Sequence, residues 1–258
     1  MELLVCIKQV PDDSVTVTLE NGAPKLDGIT PVVNAFDTYA LEMAARFKEE
    51  HGGNVTVLAV GGPEVVPSLR SCLAVGANTA VCLNESAPCD SLGMAHLLAK
   101  ASQKAGSFDV IFCGVESTDK ATGVTGTQLA EALGVPVVTN VLAVEPVDGG
   151  VSVKQETEEG YRTIEVPCPC VVTTVKPGYE PRYPSIKSKM AARKAPITEL
   201  SAAEIGADAA AYGPGAAKVK QVAVAAPPKR QSGVKIQEKE TAVAVSRAME
   251  MLAGQKLI

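Results

Sequence analysis

The chain has 258 residues, enough to bury the core of one large domain, and 46% of them are hydrophobic. Aromatic residues make up only 3% and Trp is absent, so the core must consist mainly of Val, Ala, Leu and Ile, as in buried parallel sheets under Ala-rich helices. The net charge of -5 argues against nucleic acid as a partner, because binding it would need a strong local basic patch.

The first half of the chain alternates between strand-like and helix-like patterns of apolar residues. Strands are predicted at 3–7, 55–60, 80–83 and 110–113, and helices at 37–50, 64–75, 90–104 and 127–133. Such alternation with short connections predicts an α/β fold, a doubly wound parallel sheet with helices on both faces. Ligands of these sheets bind at the carboxyl ends of the strands, so the links after Ile7, Val60 and Cys113 are the places to look for a site.

The second half of the chain is mostly β-structure, predicted at 135–141, 151–154, 161–166 and 170–175. The polar alternation over 151–166 indicates an antiparallel hairpin at the edge of the sheet. Past Ser201 the composition turns to Gly, Ala, Pro and Lys, and a last helix carries Val245, Ala248, Met249 and Leu252 on one face. The sequence thus predicts an α/β domain over 1–200 and a C-terminal arm over 201–258. The arm lies either along another subunit or back on its own domain.

The link after the fourth strand, Val115 to Gly126, reads VESTDKATGVTG. Its hydroxyls and glycines precede a helix whose first N–H groups and positive dipole end suit an anion. It contains neither of the standard glycine-rich phosphate motifs, so its composition fits a phosphate site and a plain N-capping loop equally well. A similar choice concerns Asn34-Ala35-Phe36-Asp37, in which either Asp37 caps the next helix or Asn34 binds an adenine or ribose edge.

Residues that commonly perform catalysis or bind metals are scattered in this sequence. His51 and His96 lie far apart, and Cys168 and Cys170 have no further Cys or His nearby, so no metal site is predicted. No nucleophile motif or pair of carboxylates in an apolar setting occurs, so no catalytic side chain is predicted either.

The seven cysteines have no CxxC spacing, and several lie in apolar strand-like runs. This pattern indicates reduced thiols and a cytoplasmic location. No charged-then-apolar leader and no apolar run near 18 residues is found, so neither a secretory signal nor a membrane span is expected.

A basic stretch occupies residues 182–194, in which Ile186 and Met190 form a short apolar spine. It fits a solvated helix face, the usual meaning of a charge run, and also a docking site for an acidic partner.

Several of these segments, in this order along nearly the whole chain, resemble the β subunit of electron transfer flavoprotein. They are VCIKQVPD at 5–12, NAFD at 34–37, the loop around 117–126, EPRY at 180–183 and PKRQSGVK at 228–235. The resemblance implies a heterodimer in which the arm embraces the α subunit. It also implies electron transfer between flavin dehydrogenases and an acceptor, through FAD held largely by the α subunit. The β site would hold AMP in a simple carrier, or a second FAD reduced by NADH in an electron-bifurcating one, which would bring NAD as a further ligand.

Carried over by motif, the resemblance assigns nucleotide contacts to four parts of the chain and no catalytic role to any residue. The contacts are Cys6, Asn34, Ala35, Phe36, Asp37, Gly61, Ser117, Thr118, Asp119, Lys120, Ala121, Thr122, Gly123, Val124, Thr125, Gly126, Thr127 and Gln128. Ile186 falls where the family places an apolar anchor for docking flavin dehydrogenases. The family commonly has Pro at the position of Ala35, and Lys120 adds a positive charge that favours the pyrophosphate of FAD over AMP. The alternative is a stand-alone adenine-nucleotide-binding module of the stress-protein kind, which would have no need of the arm.

Overall fold

The computed structural model describes residues 1–87, 89–226, 228 and 232–258. Within them the strands are β1 Glu2–Ile7, β2 Gln9–Pro11, β3 Thr18–Glu20, β4 Ala23–Lys25, β5 Pro31–Val33, β6 Asn54–Val60, β7 Thr79–Asn84, β8 Val110–Gly114, β9 Val137–Val147, β10 Gly150–Thr157, β11 Gly160–Pro167, β12 Cys170–Thr174 and β13 Thr198–Ser201. The α-helices are α1 Ala35–His51, α2 Val66–Ala74, α3 Ser91–Ala105, α4 Thr125–Leu133, α5 Ile186–Lys194, α6 Ala209–Tyr212 and α7 Thr241–Gly254.

One nine-stranded sheet organises the structure, in the order β11-β10-β9-β12-β8-β1-β6-β7-β13. β1 pairs in parallel with β6 on one side and with β8 on the other. The chain therefore builds outward from β1 through β6 and β7, then crosses back to add β8 on the opposite side. The gap between β1 and β8 is the topological switch point, where doubly wound sheets bind ligands.

The central strands are buried on both faces of the sheet, as their continuous apolar runs predict. From Leu3 to Ile7 every residue of β1 is buried. One core layer packs α1 and α2 against the sheet, and a second packs α3 and α4 against its other face. The doubly wound α/β architecture is thus confirmed.

The predicted edge hairpin is also confirmed. β10 pairs antiparallel with both β9 and β11, so these strands form one end of the sheet. Their burial alternates along β10, because one face of the hairpin packs on the core and the other meets water.

Several elements differ from the sequence prediction. The helix predicted at 64–75 is divided into a 3-10 turn, Pro63–Val65, and α2. Residues 12–30 contain a small exposed hairpin of β3 and β4, which the sequence analysis did not identify because three-residue strands carry too little periodicity. At the far edge of the sheet, β13 pairs in parallel with β7 and also escaped prediction.

The segment after β13 packs on the domain as far as Gly213. Further along, the backbone N–H groups of Lys218 and Val219 still donate to Asp90 Oδ2, at 2.6 and 3.2 Å. Ile205 and Tyr212 are buried against α3, and the Tyr212 hydroxyl donates to Glu85 Oε2 at 2.8 Å. Beyond Gly213 the described residues include no buried side chain, and α7 exposes Val245, Met249 and Leu252. Of the motif at 228–235, the residues 229, 230 and 231 lie outside the described parts of the chain.

Candidate nucleotide site

The carboxyl ends of β1 and β8 bring together three segments that are distant in sequence. These are Lys8 directly after β1, Asn34 to Asp37 at the start of α1, and the loop of residues 114–124 between β8 and α4. Direct hydrogen bonds join the three segments. The structure thus assembles most of the predicted site residues at the switch point.

Asp37 does not cap α1, in contrast to one of the two interpretations of the sequence. The helix begins at Ala35 with Asn34 at the N-cap position, and Asp37 is buried in the first turn. Its Oδ2 accepts the backbone N–H of Lys8 at 2.7 Å, and its Oδ1 accepts that of Gly114 at 3.0 Å. One carboxylate therefore holds the ends of both strands that flank the switch point.

Burial has a strong effect on this carboxylate. It raises the pKa of Asp37 from 3.8 to about 7, although the hydrogen bonds from Lys8 and Gly114 favour the charged form. The backbone approaches closely here, because a Cβ at position 114 would overlap Asp37 Oδ1. Glycine is therefore required at the end of β8.

Asn34 uses its side chain to hold the loop and makes no side-chain cap on α1. Its Nδ2 donates to the carbonyl of Glu116 at 2.8 Å, and its Oδ1 accepts the N–H of Thr118 at 3.0 Å. The side chain is buried, with 1% of the residue exposed. Both side-chain groups are therefore bonded within the protein.

Lys8 is a member of the site that the sequence analysis missed. Its Nζ lies 2.6 Å from Asp119 Oδ1 and 3.4 Å from Ser117 Oγ. Burial alone would raise the pKa of Asp119, but hydrogen bonds from Lys8 and Ser117 hold it below its usual value. Lys8 is the first residue after a buried strand at the switch point, and this position in the sequence could have indicated that it belongs to the site. Lys120, by contrast, is exposed. Burial raises the pKa of the Cys89 thiol before α3, and the positive charge of Lys120 acts in the opposite direction.

The loop ends at the N-terminus of α4, which no side chain of the described residues caps. The N-capping interpretation of this loop is therefore not supported. The first N–H groups of any helix lack partners within it, and they carry the positive end of its dipole. The chain turns before the helix through Ala121 and Gly123, both at positive φ, of 46° and 65°. A Cβ at Gly126 would lie 2.5 Å from the Thr173 methyl, so α4 starts close against β12.

Gln128, in the first turn of α4, supplies a further indication of a ligand. Its Oε1 is buried and has no hydrogen-bond partner among the described residues. A buried acceptor without a donor is costly, and buried polar atoms in proteins almost always have a hydrogen-bond partner, so this atom is consistent with a bound ligand or water. The atom fits an N–H or O–H donor of a bound nucleotide, and the uncapped helix fits its phosphate.

The remaining predicted contacts lie around this centre. Cys6 is buried at the end of β1, and its hydrogen bond, together with burial, raises the pKa of Cys113 in β8. Gly61 follows β6, the neighbour of β1, and a Cβ there would lie 2.5 Å from Val65. Ala35 is exposed at the start of α1. The hydrogen bonds of Gly61 within the described residues run to Leu83 and Cys82 in β7, so Gly61 is held from the side of the sheet beyond β6.

Away from the site, folding brings Glu145 to His51, whose sequence neighbour Glu50 is the other nearby carboxylate. His51 Nε2 lies 3.1 Å from Glu145 Oε2 and 3.8 Å from Glu50 Oε2. Both carboxylates are largely exposed, so this contact lies at the protein surface. Across the described parts of the chain, the helices fall short of the length and hydropathy that a bilayer span requires.

Comparison with known proteins identifies the family. The profile of the electron transfer flavoprotein domain matches residues 27–205. The electron transfer flavoprotein subunit beta of Megasphaera elsdenii is 34% identical over 270 aligned positions, which cover all of both chains. The chain belongs to the electron transfer flavoprotein family, as a β subunit. The corresponding subunit of Thermoanaerobacterium thermosaccharolyticum is 37% identical, over 90% of this chain and 91% of its own.

Another relative of this β subunit is the caffeyl-CoA reductase-Etf complex subunit CarD of Acetobacterium woodii. It is 35% identical over 90% of both chains. The role of this electron transfer flavoprotein subunit is electron transfer, in a family whose redox group is a flavin and whose β subunits pair with an α subunit.

Proposed function

We propose that this β subunit binds the adenosine-phosphate part of a nucleotide at the switch point, and that it passes electrons as a heterodimer with an α subunit. The single observation that carries the nucleotide site is Gln128, whose buried Oε1 lacks a donor next to an uncapped helix N-terminus. The phosphate would accept hydrogen bonds from the N–H groups of the first turn of α4, and Gln128 Oε1 would accept a hydrogen bond from the nucleotide.

The chain itself contributes binding and orientation. FAD, shared with the α subunit, supplies the redox chemistry when bound. Lys8 neutralises Asp119 at the mouth of the site, which leaves less negative charge to repel a phosphate. Asn34, Asp37 and Gly114 fix the loop and the strand ends, so the site is formed before the nucleotide arrives.

AMP and FAD share the adenosine-phosphate part that this site would bind. The decisive experiment is to denature the purified complex and quantify the released nucleotides by chromatography. One FAD and one AMP for each heterodimer indicate a simple carrier. Two FAD and no AMP indicate a second flavin in the β site, with NADH as donor and electron bifurcation as the activity. If only the FAD of the α subunit is released, the proposed β site is rejected.

The contribution of individual side chains can be tested in the same way. Gln128→Leu removes the unpaired acceptor, and it should lower the fraction of β subunits that retain nucleotide. Gln103→Leu, at an exposed position on α3, is the matched control and should leave retention unchanged. Lys120→Ala tests its charge, because a phosphate contact predicts a larger loss for FAD than for AMP. Equal retention by Gln128→Leu and wild type would reject the role of that side chain.

The arm and α7 are proposed to contact the α subunit. The described residues beyond Gly213 bury no side chain, although α7 presents Val245, Met249 and Leu252 on its surface. Apolar side chains repeated at helical spacing are typical of a helix that packs on a partner. Truncation after Gly213 should therefore reduce copurification with the α subunit while the α/β domain stays folded. Copurification at the full ratio would contradict this assignment, because the α subunit would then bind the α/β domain without the arm.

The surface around α5 is proposed as the docking site for a flavin dehydrogenase. Tyr183, Ile186 and Met190 are 95%, 81% and 60% exposed, and α5 also carries Lys187, Lys189, Arg193 and Lys194. Exposed apolar side chains on a basic helix fit an acidic surface with an apolar pocket. Ile186→Ala should slow electron transfer from the dehydrogenase more than Tyr161→Ala, which truncates an exposed side chain on the opposite edge of the sheet. Equal rates in the two variants would reject the docking site.

All seven cysteines are free in the structure. Free thiols suit a reducing compartment, so a cytoplasmic location stays our prediction.

A further inference from the structure

We infer that Asn34 and Asp37 are positioning residues, which hold the nucleotide loop and the two strand ends in the binding conformation without their side chains contacting the nucleotide. This inference rests on the proposed nucleotide site and assigns a different role to two of its residues. The pair is called the α1 bracket below.

The first observation is that both polar ends of Asn34 are already bonded inside the protein. Its oxygen accepts from Thr118 and its nitrogen donates to Glu116, so the amide spans the start of the loop. With only 1% of the residue exposed, a bound nucleotide would have to displace one of these bonds to reach the side chain. The structure thus favours contact with the nucleotide through the backbone of the loop and the first turn of α4.

The second observation is that Asp37 holds the backbone on both sides of the switch point. Its two oxygens accept the N–H group of Lys8, the first residue after β1, and that of Gly114, the last residue of β8. A bound nucleotide could take these N–H groups only if the carboxylate moved. Asp37 is buried, so such a movement would leave a polar group without a partner.

The third observation is that the two side chains act from one rigid element. Asn34 and Asp37 are three residues apart at the start of α1, and this spacing places them on the same side of the helix. The Thr174 hydroxyl, at the end of β12, adds a contact to the carbonyl of Phe36 at 3.4 Å. The loop, the ends of β1 and β8 and the start of α1 are therefore joined into one unit.

A loop held in this way loses little conformational entropy when the nucleotide binds. Loss of the two Asn34 bonds should free residues 116–118 and weaken nucleotide binding by roughly tenfold to a hundredfold. The loop would be more mobile before any ligand is added. A residue that is only a ligand contact would have no such effect on the nucleotide-free protein.

The experiment compares Asn34→Ala with Asn78→Ala in the purified complex, after the β-site nucleotide has been removed. Asn78 is a matched control, because its Oδ1 likewise accepts a backbone N–H, that of Val55 at 2.9 Å, but before the amino end of β7. Amide hydrogen exchange of Thr118 is measured without nucleotide, and AMP affinity is measured by calorimetry. Asn34→Ala should expose the Thr118 amide and weaken AMP binding, whereas Asn78→Ala should change neither.

Two further measurements make the result specific. Val115 donates to the Thr174 carbonyl and should stay protected in Asn34→Ala, which shows that the domain is folded. Asn34→Asp keeps an acceptor for Thr118 but places a carboxylate oxygen against the Glu116 carbonyl, so it should also free the loop and weaken AMP binding. This second variant also tests the inference if Asn34→Ala does not fold.

Unchanged Thr118 exchange in Asn34→Ala would overturn the inference, and so would normal AMP affinity despite a freed loop. Weakened AMP binding with unchanged exchange would identify Asn34 as a direct ligand and would also overturn it. Wild-type protein that binds neither AMP nor FAD at this site would instead reject the proposed function, and with it the positioning role. That outcome is recognised by calorimetry on the wild type alone.

Discussion

The Arg182 side chain should contribute strongly to stability, because it fixes the segment that leads to α5 onto α1. It lies between β12 and α5, and its Nε donates to Glu42 Oε2 at 2.8 Å while its Nη2 donates to Glu49 Oε2 at 2.9 Å. Glu42 is a charged side chain on α1 with only 3% of the residue exposed. Arg182→Gln would leave this buried carboxylate without its main partner.

The magnitude follows from the contacts that remain. Removing one partner of a buried ion pair costs about 3–5 kcal/mol. Glu42 keeps a second cation, because Arg46 Nε lies 2.7 Å from its Oε1. The expected loss is therefore smaller, about 2–3 kcal/mol in the free energy of unfolding, or roughly 4–12 °C in Tm for a domain of this size.

Urea unfolding followed by far-ultraviolet circular dichroism measures this loss, since the chain has no Trp to report by fluorescence. The matched control is Arg247→Gln, because Arg247 pairs with Glu238 at 2.6 Å near the surface, with 61% of the Arg247 side chain exposed. It should cost less than about 0.5 kcal/mol. The double variant Glu42→Gln/Arg182→Gln should be more stable than the sum of the single losses predicts.

A cost for Arg182→Gln no larger than that for Arg247→Gln would contradict this prediction, and so would additive losses for Glu42→Gln and Arg182→Gln. Either result would mean that Glu42 is adequately solvated or is neutralised by Arg46 alone.

Three further predictions concern the site and the thiols. Gly114→Ala should lower the free energy of unfolding in urea by about 1–3 kcal/mol, because a Cβ there overlaps Asp37. In Gly178→Ala the added Cβ meets no atom within 4 Å, so this control should have almost no effect. Equal losses in the two variants would contradict the prediction. Burial raises the pKa of Asp37 from 3.8 to about 7, so as the pH rises the Asp37 carboxyl loses its proton in the unfolded chain before it does so in the folded protein. The free energy of unfolding should therefore fall between about pH 4 and 7, by up to roughly 4 kcal/mol, and Asp37→Asn should lack this fall; parallel pH profiles would exclude the effect. Of the seven thiols, only Cys89 and Cys168 are partly exposed, so an aromatic disulfide reagent should label these two first in the folded protein. Because burial raises the pKa of both thiols, they should react more slowly near neutral pH than an unperturbed thiol. Rapid labelling of all seven thiols would contradict the burial pattern.

Much of the fold could be predicted because burial leaves a local record in the chain. Apolar runs marked β1 and β8 as central strands, helical periodicity marked α1 and α3, and polar alternation marked the hairpin at 151–166. The helix predicted at 90–104 begins with Asp90, which is the N-cap of α3 and accepts the N–H of Gly93 at 2.9 Å. Each of these signals depends on residues within a few positions of one another.

The position of the candidate site was predictable for a related reason. The carboxyl ends of parallel strands lie at one edge of the sheet, so the loop at 115–126 had to lie near the end of β1. The family resemblance then indicated a nucleotide. Neither argument specified which side chains face a ligand and which face the protein.

That distinction was decided by the tertiary structure. Lys8 and Asp119 form an ion pair across 111 positions in sequence, and Asn34 reaches a loop more than 80 positions away. The same local pattern at Asn34 to Asp37 is compatible with a helix cap, a ligand contact or the α1 bracket. Hydrogen bonding between distant segments is fixed only when the sheet brings their ends together. The sequence by itself therefore determined the elements and the edge at which the site lies, and the packed structure determined the role of each polar side chain there.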